Sequence, residues 1–578
     1  MSTGTRPAGR PSSTALRWLA ARTVALRPRR EDMVAMVRSP RRDLVAGVTV
    51  GVVALPLALA FGITSGMGAT AGLVTAIVAG TLAAVFGGSN VQVSGPTGAM
   101  TVVLVPIVAS HGADGVLVVG LMAGLLLVVM AYAGLGRYVR YIPLPVIEGF
   151  TLGIAVIIGL QQVPAARGVQ AECEQLLLAD AQALGAWVQD PAYIPLLLTV
   201  AVATLILTLG RLRPSVPGAL LAVVAATAAA YFADVPVADI GRLPTGLPAP
   251  SVPDLAWTDL RMLAVPAFAV AALAALESLL SASVADAMTV SERHDPDREL
   301  FGQGVANLVS PLFGGIPATA AIARTAVNVR SGARSRLAAV AHALVLLMVV
   351  LTLAPVVAHI PLAALAGVLI ATAVRMVEVS NLKALLRVTR ADASVLVTTF
   401  LATVLLDLAT AVVLGVVVAG GLALRELART AALTETSLDS LDGPATGPSG
   451  DDRHGEEQAL LDAHVVAYRL EGPLFFGGAH SALLELTEVS DLRVVILRMA
   501  HVTALDATAA AVLSETIHDL EARGVTVLIS GLPPQYRRIL QVSGILGHLD
   551  DRHHLFDHTP DAIAHAHRHA SLATGPTA

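Results

Sequence analysis

The stretch Phe86-Gly-Gly-Ser-Asn-Val-Gln-Val-Ser-Gly-Pro-Thr-Gly-Ala99 interrupts a long apolar part of the chain. A similar stretch, Phe313-Gly-Gly-Ile-Pro-Ala-Thr-Ala320, interrupts the second half. Each predicts a break at Phe-Gly-Gly, a short extended segment, and a proline in the first turn of an apolar helix. Proline is tolerated there because the first turn has no intrahelical N–H bond to lose. The alternative is that the Gly-Pro pairs only kink ordinary spans.

The two breaks occupy equivalent places in a repeat. Pro96 and Pro317 lie 221 positions apart, and the same offset relates Arg42, before the first apolar segment, to Leu263, at the start of the eighth. Two halves with an odd number of spans each must enter a membrane in opposite orientations. Inverted repeats with interrupted helices are typical of secondary transporters.

The composition indicates a membrane protein. Of the 578 residues, 55% are hydrophobic and 14% charged, whereas soluble domains have about 25% charged residues. A membrane helix needs about 20 apolar residues, which predicts about fourteen spans in two groups of seven. The predicted spans are 43–66, 70–87, 96–110, 114–135, 142–163, 194–210, 216–233, 262–288, 300–313, 318–330, 337–358, 361–377, 391–407 and 409–425.

The cations alternate along the predicted loops. Arg38, Arg41 and Arg42 precede the first span, and every second loop after it is basic. Because cytoplasmic loops are enriched in Lys and Arg, this predicts that both termini are cytoplasmic. We therefore expect a cytoplasmic tail at 1–41, disordered in the simplest interpretation, and a transmembrane domain at 42–429.

The breaks predict a place for an anion. A helix that begins inside the membrane presents unsatisfied N–H groups and a partial positive charge. Two such helix starts facing each other would bind an anion through backbone amides. The residues expected at these starts are Thr97, Gly98 and Ala99 in the first half and Thr319 and Ala320 in the second.

Two ionisable residues lie at membrane depth. Glu277, with Ser281 one turn later, is expected to bind a coupling ion, as a protonatable group or as part of a sodium site. A structural ion pair is the alternative. Arg324 would strengthen the positive field at the second helix start, or would instead pair with a carboxylate such as Glu277.

The C-terminal part has an ordinary charge density and predicts a soluble α/β domain at 459–568, after a linker at 430–458 and before a disordered tail at 569–578. Strands are expected at 465–470, 494–498 and 525–529, and helices at 507–523 and 534–544. Asp506 is placed to cap the first helix. Thr508, exposed at its start, is a candidate phosphorylation site; a plain helix cap is the alternative.

Nothing in the sequence predicts a cofactor or a metal site. Cys173 is the only cysteine, which excludes an internal disulfide. Six histidines crowd the end of the chain, but their spacing matches no closed zinc site, and an exposed polar tail is expected. They are His553, His554, His558, His565, His567 and His569.

The motifs together resemble the SulP sulfate permease family of anion transporters. The matching segments are Arg42-Asp-Leu-Val-Ala-Gly, Ala54-Leu-Pro-Leu-Ala-Leu-Ala-Phe61, Ser94-Gly-Pro-Thr-Gly-Ala99, Ala275-Leu-Glu277-Ser, Ile316-Pro-Ala-Thr-Ala-Ala-Ile-Ala-Arg324-Thr-Ala-Val-Asn328 and Ile360-Pro-Leu-Ala-Ala-Leu-Ala-Gly367. The C-terminal part resembles the STAS domain usual in that family, with its turn at Leu505-Asp-Ala-Thr508. The resemblance extends from about residue 40 to 568.

This resemblance implies a polytopic α-helical membrane protein with a seven-plus-seven inverted repeat divided into core and gate, commonly a homodimer. Phe61, Thr97, Ala323 and Arg324 match places that line the anion pocket, and Glu277 matches a carboxylate of proton-coupled members. Two positions depart from the family pattern. Leu57 replaces a polar pocket residue of some relatives, and Ala509 replaces a frequent glycine of the STAS turn.

We therefore predict a secondary active transporter of the inner (plasma) membrane, not an enzyme, that moves a small anion such as sulfate, bicarbonate or a dicarboxylate with protons or sodium. The STAS domain would be cytoplasmic and regulatory, with a cytoplasmic protein as a possible partner; no nucleic acid is implied. The alternatives are a passive anion channel of the same architecture and a membrane sensor that signals through the STAS domain.

Overall fold

A computed structural model describes residues 13–168, 176–189, 192–213, 216–253, 257–289, 293–406, 408–429, 432–435, 465–474 and 493–572. The predicted linker at 430–458 and tail at 569–578 therefore lie mostly outside the described residues. The chain divides into two compact units, residues 1–416 and 417–578.

The first unit consists almost entirely of helices, because its long apolar runs must satisfy their own backbone groups in a bilayer. In chain order they are α1 Ser13–Leu26, α2 Arg30–Arg38, α3 Pro40–Thr64, α4 Gly68–Val74, α5 Gly80–Phe86, α6 Gly98–Ala133, α7 Leu144–Gln161, α8 Val163–Ala166, α9 Leu176–Gln189, α10 Tyr193–Leu212, α11 Gly218–Phe232, α12 Trp257–Met262, α13 Ala264–Met288, α14 Pro296–Val309, α15 Ile322–Arg330, α16 Leu337–Val357, α17 Leu362–Met376, α18 Val379–Val388 and α19 Arg390–Leu405. The last apolar helix, α20 Leu408–Arg429, includes the division between the units at residue 416. A π-helical turn, Thr75–Ala79, joins α4 to α5, and 3-10 turns lie at Gly136–Tyr141 and Ser310–Phe313. This unit also contains two strands of two residues each, β1 Ser94–Gly95 and β2 Thr319–Ala320.

Every predicted span has a helical counterpart in this order of elements. Among the described residues, nine helices are long and apolar enough to cross a membrane. The 36-residue α6 corresponds to two predicted spans, 96–110 and 114–135. A kink separates them at Gly112, which leaves helical geometry with φ 68 and ψ −168. The polytopic helical architecture is as predicted, while the count of fourteen crossings and the inverted repeat remain predictions.

Small residues let the helices of this unit approach closely. A Cβ added to Gly72 of α4 would collide with the carbonyl oxygen of Ala58 in α3. One added to Gly47 of α3 would lie 2.6 Å from the Cβ of Ala341 in α16. Between membrane helices such contacts are stabilised by van der Waals packing at short backbone distances. Larger side chains at these glycines would separate the helices.

The N-terminal segment differs from the disordered tail that the sequence predicts. From Ser13 it forms α1 and α2, which are held to the start of α14 by ion pairs. Arg22 contacts Asp297 at 2.6 Å, and Asp32 contacts Arg298 at 2.6 Å. Composition could not reveal these contacts, because the partner residues on α14 lie more than 260 positions away in sequence.

Asp32 of α2 is buried between two arginines. Besides Arg298, the guanidinium of Arg336 lies 3.5 Å from its carboxylate. Burial alone would raise the pKa of Asp32, but the hydrogen bonds from Arg298 and the Arg29 amide and the nearby charges hold the pKa below its usual value. The carboxylate therefore stays charged, and its contribution to stability is lost only as the pH falls through that lowered pKa.

The second unit contains a five-stranded sheet in the order β3-β4-β5-β6-β7. The strands are β3 Ala432–Glu435, β4 Val465–Leu474, β5 Val494–Leu505, β6 Thr526–Ser530 and β7 Leu555–Phe556. Only β3 is antiparallel; the others pair in parallel. The helices are α21 Ala507–Ala522, α22 Arg537–Val542, α23 Ile545–Asp551 and α24 Thr559–Leu572, and a 3-10 turn lies at Pro534–Tyr536.

The α/β domain is thus confirmed, with four elements that the sequence did not predict: β3, α23, β7 and α24. Strand β3 lies within the expected linker, and α24 extends into the expected tail. Alanines 562 and 566 of α24 cover one face of the sheet over Val465, Ile496 and Leu528. Helix α21 covers the opposite face.

Candidate functional site

The two breaks meet in a short antiparallel ladder. Strand β1, Ser94–Gly95, pairs with β2, Thr319–Ala320, with Ser94 opposite Ala320. Because the ladder is antiparallel, the chain leaves the two strands in opposite directions, into α6 and α15. The sequence predicted that these helix starts face each other, and the strand pairing brings them together.

The helices begin later than the prolines predict. Thr97, after Pro96, caps α6, its hydroxyl accepting a hydrogen bond from the Met100 amide at 3.4 Å. Helix α15 begins only at Ile322, five residues after Pro317. The predicted position of proline in the first helical turn is therefore wrong in both halves. Residues Thr319 and Ala320, expected at a helix start, instead form the strand that pairs with β1.

Both helices present unsatisfied amides at the ladder. The amides of Gly98 and Ala99 in α6 have no acceptor among the described residues, and neither do those of Ile322 and Ala323 in α15. These are the donors that every helix leaves free in its first turn. They combine with the helix dipole to favour a negative charge.

Helix α14 holds both extended segments through one polar face. The Glu299 carboxylate accepts hydrogen bonds from the amides of Gly88 and Ser89 at 2.9 and 3.3 Å. One turn later, Gln303 donates to the Ser94 hydroxyl at 2.7 Å. After another turn, Asn307 bonds both the N–H and the C=O of Ala318, at 2.7 and 2.9 Å.

The sequence interpretation missed these three residues, Glu299, Gln303 and Asn307. The available signal was a polar stripe at spacings of four residues along a short apolar span. All three are buried. Glu299 and Asn307 bond backbone atoms of the two breaks, and Gln303 bonds the Ser94 hydroxyl. They therefore fix the extended segments from which the helices start.

Helix α13 supports the second break. The Thr319 hydroxyl donates to the carbonyl of Ala274 at 3.2 Å and lies 2.9 Å from the Ser278 hydroxyl. The Ala320 amide donates to the same Ser278 oxygen at 3.3 Å. Ser281 donates to the Thr325 hydroxyl at 3.1 Å. In this structure the side chains of Thr319 and Ser281 thus join α13 to the β2–α15 segment, which is a positioning contact.

Arg324, in the first turn of α15, reaches across to the first break. Its side chain is buried, and Nη2 donates to the carbonyl of Pro96 at 2.7 Å. Nη1 has no hydrogen-bond partner in the described chain. A Cβ at Gly95, whose φ is +156, would lie 2.6 Å from Nη1. Glycine at position 95 therefore leaves room for the guanidinium beside the helix starts.

Glu277 also contacts the first helix start. It is half-buried, and its carboxylate accepts a hydrogen bond from the Thr97 hydroxyl at 2.9 Å. The charges of Glu277 and Arg324 interact electrostatically, but these two described residues form no direct ion pair. The salt bridge considered as the alternative role of Arg324 is thus not formed.

The remaining predicted pocket residues surround the start of α6. A Cβ at Gly98 would lie 3.2 Å from Cε1 of Phe61 and would collide with Ile158. Phe61 and Ala99 are buried, whereas Ala323 is exposed. Phe61 therefore packs where the α6 amides begin. The structure brings together Thr97, Gly98, Phe61, Glu277 and Arg324.

The second unit has the predicted cap. The Asp506 side chain accepts a hydrogen bond from the Ala509 amide at 2.7 Å, and Thr508 is exposed in the first turn of α21. The cap explains Asp506 structurally. The exposure of Thr508 satisfies a requirement for modification, and its regulatory role remains a prediction.

Chemically, the site of the first unit combines free amides from two helix starts, a buried guanidinium and a hydroxyl-bonded carboxylate. The positive groups can hold a small anion without a metal or cofactor. The carboxylate can hold a proton or contribute oxygen to a cation. Such a constellation fits binding and transfer of an anion.

Comparison with known proteins shows which families and folds this chain resembles. Residues 41–399 match the sulfate permease family and residues 459–562 the STAS domain. YvdB of Bacillus subtilis (strain 168), provisionally named a sulfate transporter, is 37% identical over 90% of this chain and 96% of its own. The solved transmembrane domain of the bicarbonate transporter BicA from a cyanobacterium is 36% identical over 65% of this chain and 98% of its own, with a TM-score of 0.60. The murine anion transporter Slc26a9, solved in an inward-facing state, shares the fold over 98% of this chain and 96% of its own, at 16% identity and a TM-score of 0.78.

Proposed function

The chain belongs to the sulfate permease family, and on this premise we propose that it is a secondary active transporter that moves a small anion across the cell membrane together with protons or sodium. The substrate class is sulfate, bicarbonate or a dicarboxylate. The names of YvdB and BicA support the first two. Backbone amides at helix starts bind all of these anions through the same interactions.

One observation carries the proposal: Arg324 is buried between the two helix starts with Nη1 unpaired in the described chain. A buried guanidinium with an unused donor is costly unless a negative group completes it. An anion between α6 and α15 would accept from Nη1 and from the free first-turn amides. We therefore place the substrate between Thr97–Ala99 and Ala323–Arg324.

Coupling would act through Glu277. Its carboxylate is bonded to Thr97, the capping residue of the helix that would hold the anion. While Glu277 is ionised it opposes a second negative charge nearby. Binding of a proton or a sodium ion removes that repulsion, so that the anion and the cation bind more tightly together than separately.

The experiment measures uptake into proteoliposomes with and without an inward proton or sodium gradient. For the intact chain we expect accumulation of radiolabelled anion above equilibrium when one gradient is imposed. In Glu277→Gln the neutral side chain should abolish gradient-driven accumulation while leaving equilibrium exchange measurable. Glu378→Gln, an exposed carboxylate of the same unit, serves as the control. Unchanged accumulation in Glu277→Gln would contradict the coupling role.

The same assay separates a transporter from a passive channel. A channel equilibrates the anion along its electrochemical gradient and cannot accumulate it against that gradient. Equilibration alone, at rates that no cation gradient alters, would favour the channel. Competition by a panel of sulfate, bicarbonate and dicarboxylates identifies the substrate.

The remaining parts of the proposal concern assembly and regulation. We propose that both termini and the STAS domain lie in the cytoplasm, on the basis of the alternating basic loops. Phosphorylation of the exposed Thr508 would place negative charge at the start of α21, where the helix dipole favours it. We also propose a homodimer and a STAS domain that regulates transport, in keeping with the family.

A further inference from the structure

Three of the C-terminal histidines meet in the second unit. His565 and His569 lie one turn apart on the same face of α24, and His554 immediately precedes β7. Their ligand nitrogens all lie within 4.8 Å of one another. The sequence spacing gave no indication of this, because His554 approaches through the fold and not through the helix period.

The arrangement of the rings matches the geometry of a metal centre. The ring centres are separated by 5.8 Å for His554–His565, 5.7 Å for His554–His569 and 4.9 Å for His565–His569. Zn–N bonds of about 2.0–2.1 Å at tetrahedral angles place imidazole centres about 5.2 Å apart. Small side-chain rotations would therefore bring three nitrogens onto one ion.

The cluster is incomplete without a ligand. Nδ1 of His554 and Nε2 of His565 are buried and have no hydrogen-bond partner among the described residues. Buried polar atoms in folded proteins are nearly always paired. Two unpaired ring nitrogens facing a third imidazole thus indicate a missing group that accepts lone pairs.

We propose that His554, His565 and His569 form a three-histidine site for one divalent transition-metal ion, with Zn²⁺ as the best-suited occupant. Imidazole nitrogens suit Zn²⁺, Cu²⁺ and Ni²⁺ better than the hard cations Mg²⁺ and Ca²⁺. Because His569 is exposed, the fourth position opens toward solvent, and water or a further ligand completes the coordination. The metal would link α24 to the segment before β7 through its histidine ligands.

This link would stabilise β7, the strand at one edge of the sheet. Strand β7 is only two residues long and is held to β6 by a short parallel ladder. The carbonyl of His554 accepts from the Ile529 amide of β6 at 2.9 Å. A metal bound at His554 would therefore stabilise both α24 and this strand edge. The site would make the last helix of the domain dependent on metal availability.

The test uses the full chain, purified in detergent without a polyhistidine tag and stripped with a chelator. Zn²⁺ alone is titrated and followed by calorimetry, and Co²⁺ alone by visible absorption, which distinguishes four- or five-coordinate Co²⁺ from the hexa-aqua ion. We expect one equivalent of micromolar or tighter affinity that raises the thermal unfolding midpoint of the second unit.

The variants are chosen so that folding does not obscure the result. His569→Ala removes the exposed ligand and should weaken that equivalent at least tenfold, as should His565→Ala. His558→Ala, an exposed neighbouring histidine outside the cluster, should bind as the wild type does. Absence of a stoichiometric equivalent in the wild type, or its retention in His569→Ala and His565→Ala, would overturn the proposal. An equivalent that His558→Ala loses as well would reveal nonspecific chelation and overturn it too.

Discussion

At the scale of single residues, Arg324 is the most direct test of where the anion binds. Arg324→Ala removes the guanidinium beside both helix starts and should raise the apparent KM for the anion about tenfold or more. The reason is that a hydrogen bond to a charged group contributes about 1.5–3 kcal/mol, and 1.4 kcal/mol corresponds to a factor of ten in affinity. Initial uptake rates over a range of anion concentrations provide the measurement.

The matched control is Arg330→Ala, which removes an exposed arginine in the last turn of the same helix. It should leave the apparent KM near its original value. Arg324→Lys, which keeps the charge but loses the planar set of donors, should fall between the two. An unchanged KM in Arg324→Ala would exclude a direct contact with the substrate.

Sequence alone identified Glu277 and Arg324, because charges within apolar spans are rare and functional by default. It could not say that Glu277 bonds Thr97 while Arg324 bonds Pro96, since these partners lie 180 and 228 positions away. The same limit applies to Thr319 and Ser281. Their hydroxyl groups suggested contacts with a ligand, but in the structure these hydroxyls form hydrogen bonds between α13 and the β2–α15 segment.

At the scale of elements, α14 is the support on which both breaks depend. Asn307→Ala would leave the buried N–H and C=O of Ala318 unpaired and should destabilise the first unit by about 2–6 kcal/mol, from about 1–3 kcal/mol for each group. The expected result is a lower thermal unfolding midpoint in detergent, which added substrate anion partly restores.

Asn381→Ala is the control for this substitution. The Asn381 side-chain amide donates hydrogen bonds to the carboxylates of Glu148 and Glu378 in the first turn of α18. Water can take over these hydrogen bonds when the amide is removed. Its unfolding midpoint should change little. Equal midpoints for Asn307→Ala and the wild type would show that α14 does not hold the second break.

Element boundaries show why local rules were insufficient. The rule that proline favours a first helical turn put the helix starts at Pro96 and Pro317. Strand pairing between distant segments instead extends the chain through Thr319–Ala320. The kink at Gly112, by contrast, was predictable, since the apolar pattern itself separates the two segments of α6.

At the scale of the whole molecule, the membrane unit and the α/β domain were predictable because the fraction of charged residues rises sharply from the first to the second. The length of the apolar runs placed a helix at every predicted span, and three strands of the sheet followed from their β-branched runs. Strand β3 and helix α24 could not be recognised in the same way. Strand β3 has only four residues, and α24 is rich in histidine; the residues against which both pack lie in the sheet.

The division into two units predicts how transport depends on the STAS domain. Every residue assigned to anion or cation binding, from Phe61 to Arg324, lies in the compact unit 1–416. Deleting residues 430–578 should therefore preserve the apparent KM for the anion and change only the maximal rate. The solved transmembrane domain of BicA, which this chain matches over 98% of that domain's length, supports folding of the truncated unit.

The deletion is measured by uptake per reconstituted transporter, with anion-dependent thermal stabilisation as a check that the truncated chain is folded. Retained uptake with an unchanged KM would assign the STAS domain to regulation, and Thr508→Glu in the full chain should then alter the rate in the same assay. A truncated chain that still binds the anion but cannot transport it would contradict a purely regulatory role. Binding without transport in both forms would instead favour a membrane sensor. A sensor needs the binding site of the first unit and the signalling output of the second, but no flux of the anion across the membrane.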